Sequence, residues 1–128
     1  MTETTPAALP RTAVTWFEIP TADLARALRF YEAILGRPLS IEEFMGEKLV
    51  IFPAEEGGVK GCLVEGVHPS PHGTIVYLNV DGRIDRALDL AEQSGGRVDT
   101  PKTELPGIGF VARIIDSEGN RVGLHAIF

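Results

Sequence analysis

Three histidines, one cysteine and two glycine pairs are the residues through which this chain could do specific chemistry. His68 and His72 lie four apart, the spacing that puts two imidazoles on one face of a helix and suits zinc. Pro69 and Pro71 fall between them. Each would remove a helical hydrogen bond and clash with the preceding turn, so the two histidines belong to a loop. Cys62 stands alone between Gly61 and Leu63 and reads as a small buried filler rather than a nucleophile. Gly57-Gly58 and Gly95-Gly96 are not followed by the residues of a phosphate-binding loop or a dinucleotide fingerprint, so both read as turns.

The elements that must position any site are legible from pattern. Val14 to Ile19 is β-rich, and Pro20 is expected to close that strand. Thr21 or Asp23 can cap a helix over Leu24 to Leu35, in which Leu24, Ala27, Leu28, Tyr31, Ile34 and Leu35 share one stripe. Gly36 suits its C-terminal cap. Three strands are expected next: Leu39–Phe44, Lys48–Phe52 and Val59–Glu65. A loop rich in turn formers runs from Gly66 to Gly73. The pattern then restarts with a strand over Thr74–Val80, a helix over Ile84–Ser94, and strands over Arg97–Thr103, Gly109–Asp116 and Asn120–Ile127. Phe17, Phe30, Tyr31 and Phe110 are core candidates, and Glu42, Glu43, Glu55 and Glu56 a solvated edge.

The order is therefore βαβββ, twice. The halves also match in residues: Arg26-Ala27-Leu28 lies 60 positions before Arg86-Ala87-Leu88, and Glu32 and Gly36-Arg37 match Glu92 and Gly96-Arg97 at the same offset. Repeated order and repeated residues together favour duplication. A ferredoxin-like α+β sandwich would also place two helices on one face of a sheet.

At 128 residues the chain fits one domain. Residues 1–12 read as a disordered arm and 13–128 as the domain, with module 1 at about 13–66 and module 2 at about 73–128. The net charge of −6 argues against nucleic acid and against an anionic membrane surface. No apolar run approaches the roughly 20 residues that span a bilayer. A lone cysteine fits a reducing cytoplasm.

Three stretches carry a family likeness: FEIPTADLARALRFYEAILG, the helix end Gln93-Ser94-Gly95-Gly96-Arg97-Val98, and the closing DSEGNRVGLHA. Together they resemble the vicinal oxygen chelate superfamily, which holds glyoxalase I, extradiol dioxygenases, fosfomycin-resistance proteins and bleomycin-binding proteins. The resemblance implies an α+β fold, the glyoxalase-like fold, in which two tandem βαβββ modules form a curled mixed sheet around a cleft. It also implies a homodimer. In the metalloenzymes of the group, His or Glu ligands come from the first and fourth strands of each module.

Carried over by position, the first-strand ligand falls on Trp16, seven residues before Asp23, and its second-half equivalent on Ile75, or on Val76 if the helix start shifts by one. The last-strand ligand falls on Gly123. The fourth lies within Val59–Glu65, with Glu65, Leu63 and Cys62 all open. Trp, Ile or Val, and Gly offer no side-chain donor to a divalent metal. No metal ligand and no cofactor are therefore expected, although a divalent metal elsewhere is not excluded.

Residues two apart on a strand share a face. Glu18 then joins Trp16 on the cleft face, His125 joins Gly123, and Tyr77 and Asn79 join Ile75. That surrounds one cavity with a carboxylate, an imidazole, a phenol, an amide and an indole, the make-up of a small-molecule site. Trp16 and Tyr77 could stack on a planar ligand, or only fill the interior. Glu18 and His125 could act as an acid/base pair if within hydrogen-bond reach; otherwise they are a structural ion pair or two unrelated residues. The expected function is metal-free binding of a small molecule. The alternatives are a lyase, isomerase or dioxygenase of the superfamily, using a displaced metal or Glu18 and His125, or a subunit that kept only the fold.

Overall fold

The computed structural model describes residues 8, 9, 12, 14, 16–66 and 68–128. Most of the arm expected over residues 1–12 lies outside the described residues. Ten elements follow in order: β1 (Trp16–Thr21), α1 (Leu24–Leu35), β2 (Ile41–Phe44), β3 (Glu47–Phe52), β4 (Lys60–Glu65), β5 (Tyr77–Asn79), α2 (Ile84–Gln93), β6 (Arg97–Leu105), β7 (Gly109–Ile115) and β8 (Arg121–Ala126). This is βαβββ twice. Each module makes one four-stranded sheet, in the orders β1-β4-β3-β2 and β5-β8-β7-β6. In each sheet the module's first and last strands run parallel and the other neighbours antiparallel. The two sheets stay separate and do not close into a barrel.

Helix α1 forms where the apolar stripe predicted it. The Asp23 side chain accepts from the Arg26 amide at 3.0 Å, and Gly36, at φ 70°, returns its N–H to the Glu32 carbonyl. The stripe buries Leu24, Ala27, Phe30, Tyr31 and Ile34. In α2 it buries Ile84, Ala87 and Ala91. The two helices pack on each other and, with the inner faces of both sheets, enclose one core that includes Val50, Leu63, Ile114 and Leu124. Phe30 and Tyr31 are buried within it, while Phe17 and Phe110 pack at its margin.

Several strand limits differ from expectation by one to three residues, and two of these bear on the site. Pro20 does not close β1, which continues to Thr21. β1 is an edge strand, where one row of amides has no ladder partner, so a missing N–H is tolerated. The first strand of module 2 is shorter than Thr74–Val80. Its regular part is Tyr77–Asn79, yet the Gly123 amide donates to the Val76 carbonyl and the Val80 amide to the His125 carbonyl, both at 2.8 Å.

The modules are joined through the turn Asp116–Asn120, which docks on the start of α1. Glu118, whose side chain is fully buried, accepts from the amides of Ala22 (2.9 Å) and Asp23 (2.8 Å) and from two nitrogens of Arg26 (2.8 and 2.9 Å). Burial alone would raise the Glu118 carboxyl; the hydrogen bonds from Arg26, the Asp23 amide, Ser117 and the Ala22 amide outweigh it and hold the group at about 2. Beneath it, Asp116 accepts from the buried Tyr31 hydroxyl at 2.6 Å and from Asn120, which also donates to the Pro20 carbonyl at 2.7 Å. Burial first, then the neighbouring charge of Asp116, pushes the Tyr31 hydroxyl well above its ordinary range. At the other end of α1, the Arg83 guanidinium donates to the carbonyls of Ile34 (3.2 Å) and Ala33 (3.3 Å). These are carbonyls that a helix end leaves without partners.

Candidate functional site

The register of the two parallel pairs places the residues that matter. Tyr77 pairs with Gly123 and Asn79 with His125, while Glu18 pairs with Cys62. Paired residues share a face, so Tyr77, Asn79, Gly123 and His125 lie together on the face of the second sheet turned away from the helices. Tyr77 is 41% exposed, whereas Leu78 is buried, which fixes the phase of this strand. Ile75 is then in phase with the outward face, and Val76 packs against the core. In module 1, Trp16 and Glu18 lie on the outward face, and the Trp16 indole N–H donates to Glu18 Oε2 at 3.3 Å.

The same register bears on the fourth ligand position that the resemblance implies. Glu18 stands two residues after Trp16, as Tyr77 stands two after Ile75. The strand partner of Tyr77 is Gly123, so the equivalent partner in module 1 is Cys62. Glu65 is engaged elsewhere, accepting from the Leu24 amide at 3.1 Å, and Leu63 is core. The four positions that the resemblance implies then fall on Trp16, Cys62, Ile75 and Gly123. Burial, then the charge and hydrogen bonding of Glu18, push the Cys62 thiol up to about 11. A protonated thiol is a poor ligand and a poor nucleophile. A Cβ placed on Gly123 would lie 2.3 Å from Cδ2 of Tyr77, so the phenol ring already fills the space a ligand side chain would need there. The residues present do not fit a divalent ion at this place. Among the described residues there is no group of three or more His, Cys, Asp or Glu placed to hold a metal.

Three cavities divide the candidates. Trp16, Ile75, Tyr77 and Asn79 border a space of about 940 Å³ where the two modules meet, together with Phe52 and Arg37. Tyr77 and His125 also line a second cavity of about 610 Å³ on the outward face of the second sheet. Its other walls are Thr100, Thr103, Leu105, Ile108, Val111, Ala112 and Arg113. Glu18 lies in a third, smaller one of about 230 Å³, beside His68, His72 and Arg121. The structure therefore brings Trp16, Ile75, Tyr77 and Asn79 together and joins His125 to them through Tyr77. It does not bring Glu18 to His125: they line different cavities and have different hydrogen-bond partners. The Asn79 amide is engaged locally with Asp81.

Two polar contacts organise the second cavity. Arg113 Nε donates to the Tyr77 hydroxyl oxygen at 2.9 Å. His125 Nε2 lies 2.7 Å from the Ile108 carbonyl oxygen, which can only accept, so Nε2 carries the proton; in the neutral ring Nδ1 is then the acceptor. Sequence reading missed Arg113. The signal was available: Val111 and Arg113 alternate along β7, and Arg113 sits opposite Gly123 in the β7–β8 register. Thr100 and Thr103 were harder to place, because β6 shifts register between Val98 and Thr103.

Comparison with known proteins agrees with this geometry. Residues 13–124 match the model of the Glyoxalase/Bleomycin resistance protein/Dioxygenase superfamily, and the chain belongs to that superfamily. Among solved structures, it is similar to a glyoxalase/bleomycin resistance protein from Albidiferax ferrireducens T118, with 13% identity, a TM-score of 0.71 and coverage of 90% of this chain and 98% of that one. It also resembles a glyoxalase-related enzyme from Fulvimarina pelagi, with 14% identity, a TM-score of 0.65 and coverage of 88% and 86%. A third similar structure is the genomically encoded fosfomycin resistance protein FosX from Listeria monocytogenes, with 15% identity, a TM-score of 0.65 and 91% of each chain covered. No curated protein matches the sequence at a significant level. At these identities the shared property is the fold. No helix among the described residues is long and apolar enough to cross a membrane.

Proposed function

We propose that the protein is a small-molecule-binding member of the superfamily that works without the metal of its catalytic relatives. The observation that carries this reading is the Tyr77 ring lying over Gly123. Where the resemblance implies a ligand, this chain has a residue with no side chain, and the space beside it is taken by an aromatic wall of a mostly apolar cavity. Cavities of several hundred Å³ with a few convergent polar groups are the usual form of such sites. The acid/base alternative finds no support in hydrogen bonding, since Glu18 and His125 have other partners. The proposed partner besides the ligand is a second copy of the chain. Apolar side chains stand exposed around the outward sheet faces, among them Trp16 at 45%, Phe44 at 66% and Ile108 at 56%, and a second copy would cover them. The proposed location is the cytoplasm, in keeping with the one buried, protonated cysteine.

Metal analysis of protein purified without chelator or affinity tag tests the reading directly. Substoichiometric metal is expected; one equivalent of nickel, zinc or iron overturns it. In a thermal-shift screen against metabolites and antibiotics, a stabilising compound should lose its effect in Tyr77→Ala and His125→Ala. A compound whose shift survives both changes would place the site elsewhere. Light scattering should give about twice 13.8 kDa, and a mass near 13.8 kDa removes the dimer.

A further inference from the structure

We propose that the cavity beneath Tyr77 takes an organic anion, a carboxylate on a compact apolar body, with Arg113 as its anchor. The inference rests on the small-molecule-binding reading above and names the ligand class for that site. The chain carries 18 acidic against 12 basic residues, yet the cavity wall contains no acid and one guanidinium. Arg113 is half-buried, and its hydrogen bond goes to a neutral phenol. Among the described residues, ion pairs are made by Arg26, Lys102 and Arg121, and none by Arg113. A partly desolvated cation without a counter-ion is costly, and the cost is recovered when an anion arrives.

The geometry selects the form of that anion. A guanidinium has five N–H donors in one plane. Tyr77 takes the one on Nε and thereby orients that plane, leaving the two terminal nitrogens free to meet both oxygens of a carboxylate. The Tyr77 hydroxyl accepts from Arg113, so its own proton remains available to donate. The remaining wall is mostly apolar: Thr100, Thr103 and His125 are its polar members, and Leu105, Ile108 and Val111 are placed to cover a flat or branched hydrocarbon body. A neutral or cationic molecule of the same shape would leave the guanidinium desolvated and unpaired.

Three matched probes test this: naphthalene-2-carboxylate, naphthalene-2-carboxamide and 2-naphthylmethylamine, titrated calorimetrically into the whole protein. The carboxylate is expected to bind about ten- to a hundredfold tighter than the carboxamide, the range of a charge-assisted hydrogen bond. The amine should bind weakest. In Arg113→Met the preference for carboxylate over carboxamide should vanish, and in Arg113→Lys it should be reduced but retained. Circular dichroism identifies a variant that fails to fold, and the wild-type ranking stands as a test without either variant. Equal affinity for all three probes overturns the anion inference and leaves small-molecule binding intact. Binding by none of them overturns both the inference and the assignment of this cavity.

Discussion

The two modules share an element order and differ in what they do with it. Module 1 turns Trp16, Glu18 and Cys62 outward, an indole, an acid and a protonated thiol bound to one another. Module 2 turns Tyr77, Arg113 and His125 outward, around a cavity without an acid. Their turns diverge as well. The module 2 turn Asp116-Ser117-Glu118-Gly119-Asn120 is hydrogen-bonded into the other half of the molecule. Its module 1 counterpart, Glu55-Glu56-Gly57-Gly58-Val59, is closed by the Gly58 amide on the Glu55 carbonyl as the other is by Gly119 on Asp116, but it has glycine where Glu118 stands, and its two glutamates are exposed. One repeat unit has therefore kept the fold's joint and the other has not.

The largest expected effect tests that contrast. Glu118→Ala leaves two backbone amides and a guanidinium without their acceptor and should cost about 2–4 kcal/mol in urea unfolding. Glu56→Ala, at an exposed acid of the module 1 turn, should stay within about 0.5 kcal/mol of wild type. Equal effects would erase the distinction between the turns.

A smaller effect separates the outward faces. Gly123→Ala puts a methyl group against the Tyr77 ring and should destabilise by about 1–3 kcal/mol, the usual cost of overpacking, while abolishing ligand shifts. Adding Tyr77→Ala should relieve part of the stability loss, because the clash has one named partner. If Gly123→Ala is neutral, the ring is not held over Gly123.

The smallest effect is a change of slope with pH. Glu118 is held at about 2, below its value in an unfolded chain, so its stabilisation is fully present above the unfolded carboxylate range and is lost as pH falls toward about 2. Wild type should therefore lose stability more steeply than Glu118→Gln between about pH 4.5 and pH 2 in urea titrations at matched salt. Parallel curves would mean that the carboxylate is not held by these bonds.

The fold was legible because its signals are local. Helix α1 ends where Asp23 and Gly36 say it should, and alternation puts Tyr77 and His125 on one face, as the strand register has them. What escaped was non-local. The offset of 60 aligns Phe17 with Tyr77, yet Phe17 packs against the core and Tyr77 faces outward. Module 2 has one more residue between strand and helix, so strands match at 59 while helices match at 60. Arg113 lies on the third strand of module 2, while the family pattern marks only the first and fourth strands, and it reaches Tyr77 from 36 residues away. Glu118 sits in a recognisable turn motif, but its amide partners lie 95 and 96 residues away, beyond the reach of any local pattern.

Helix α1 is gripped by module 2 at both ends, by Glu118 at its start and by Arg83 at its finish. Its stability is thus borrowed from residues that are synthesised long after it. As the chain leaves the ribosome, module 1 can cap this helix with its own Asp23 and Gly36, but the contacts from Arg83 and Glu118 come only once module 2 has been made. Cleavage in the connecting loop would accordingly give two fragments that are each incomplete and that restore each other on mixing.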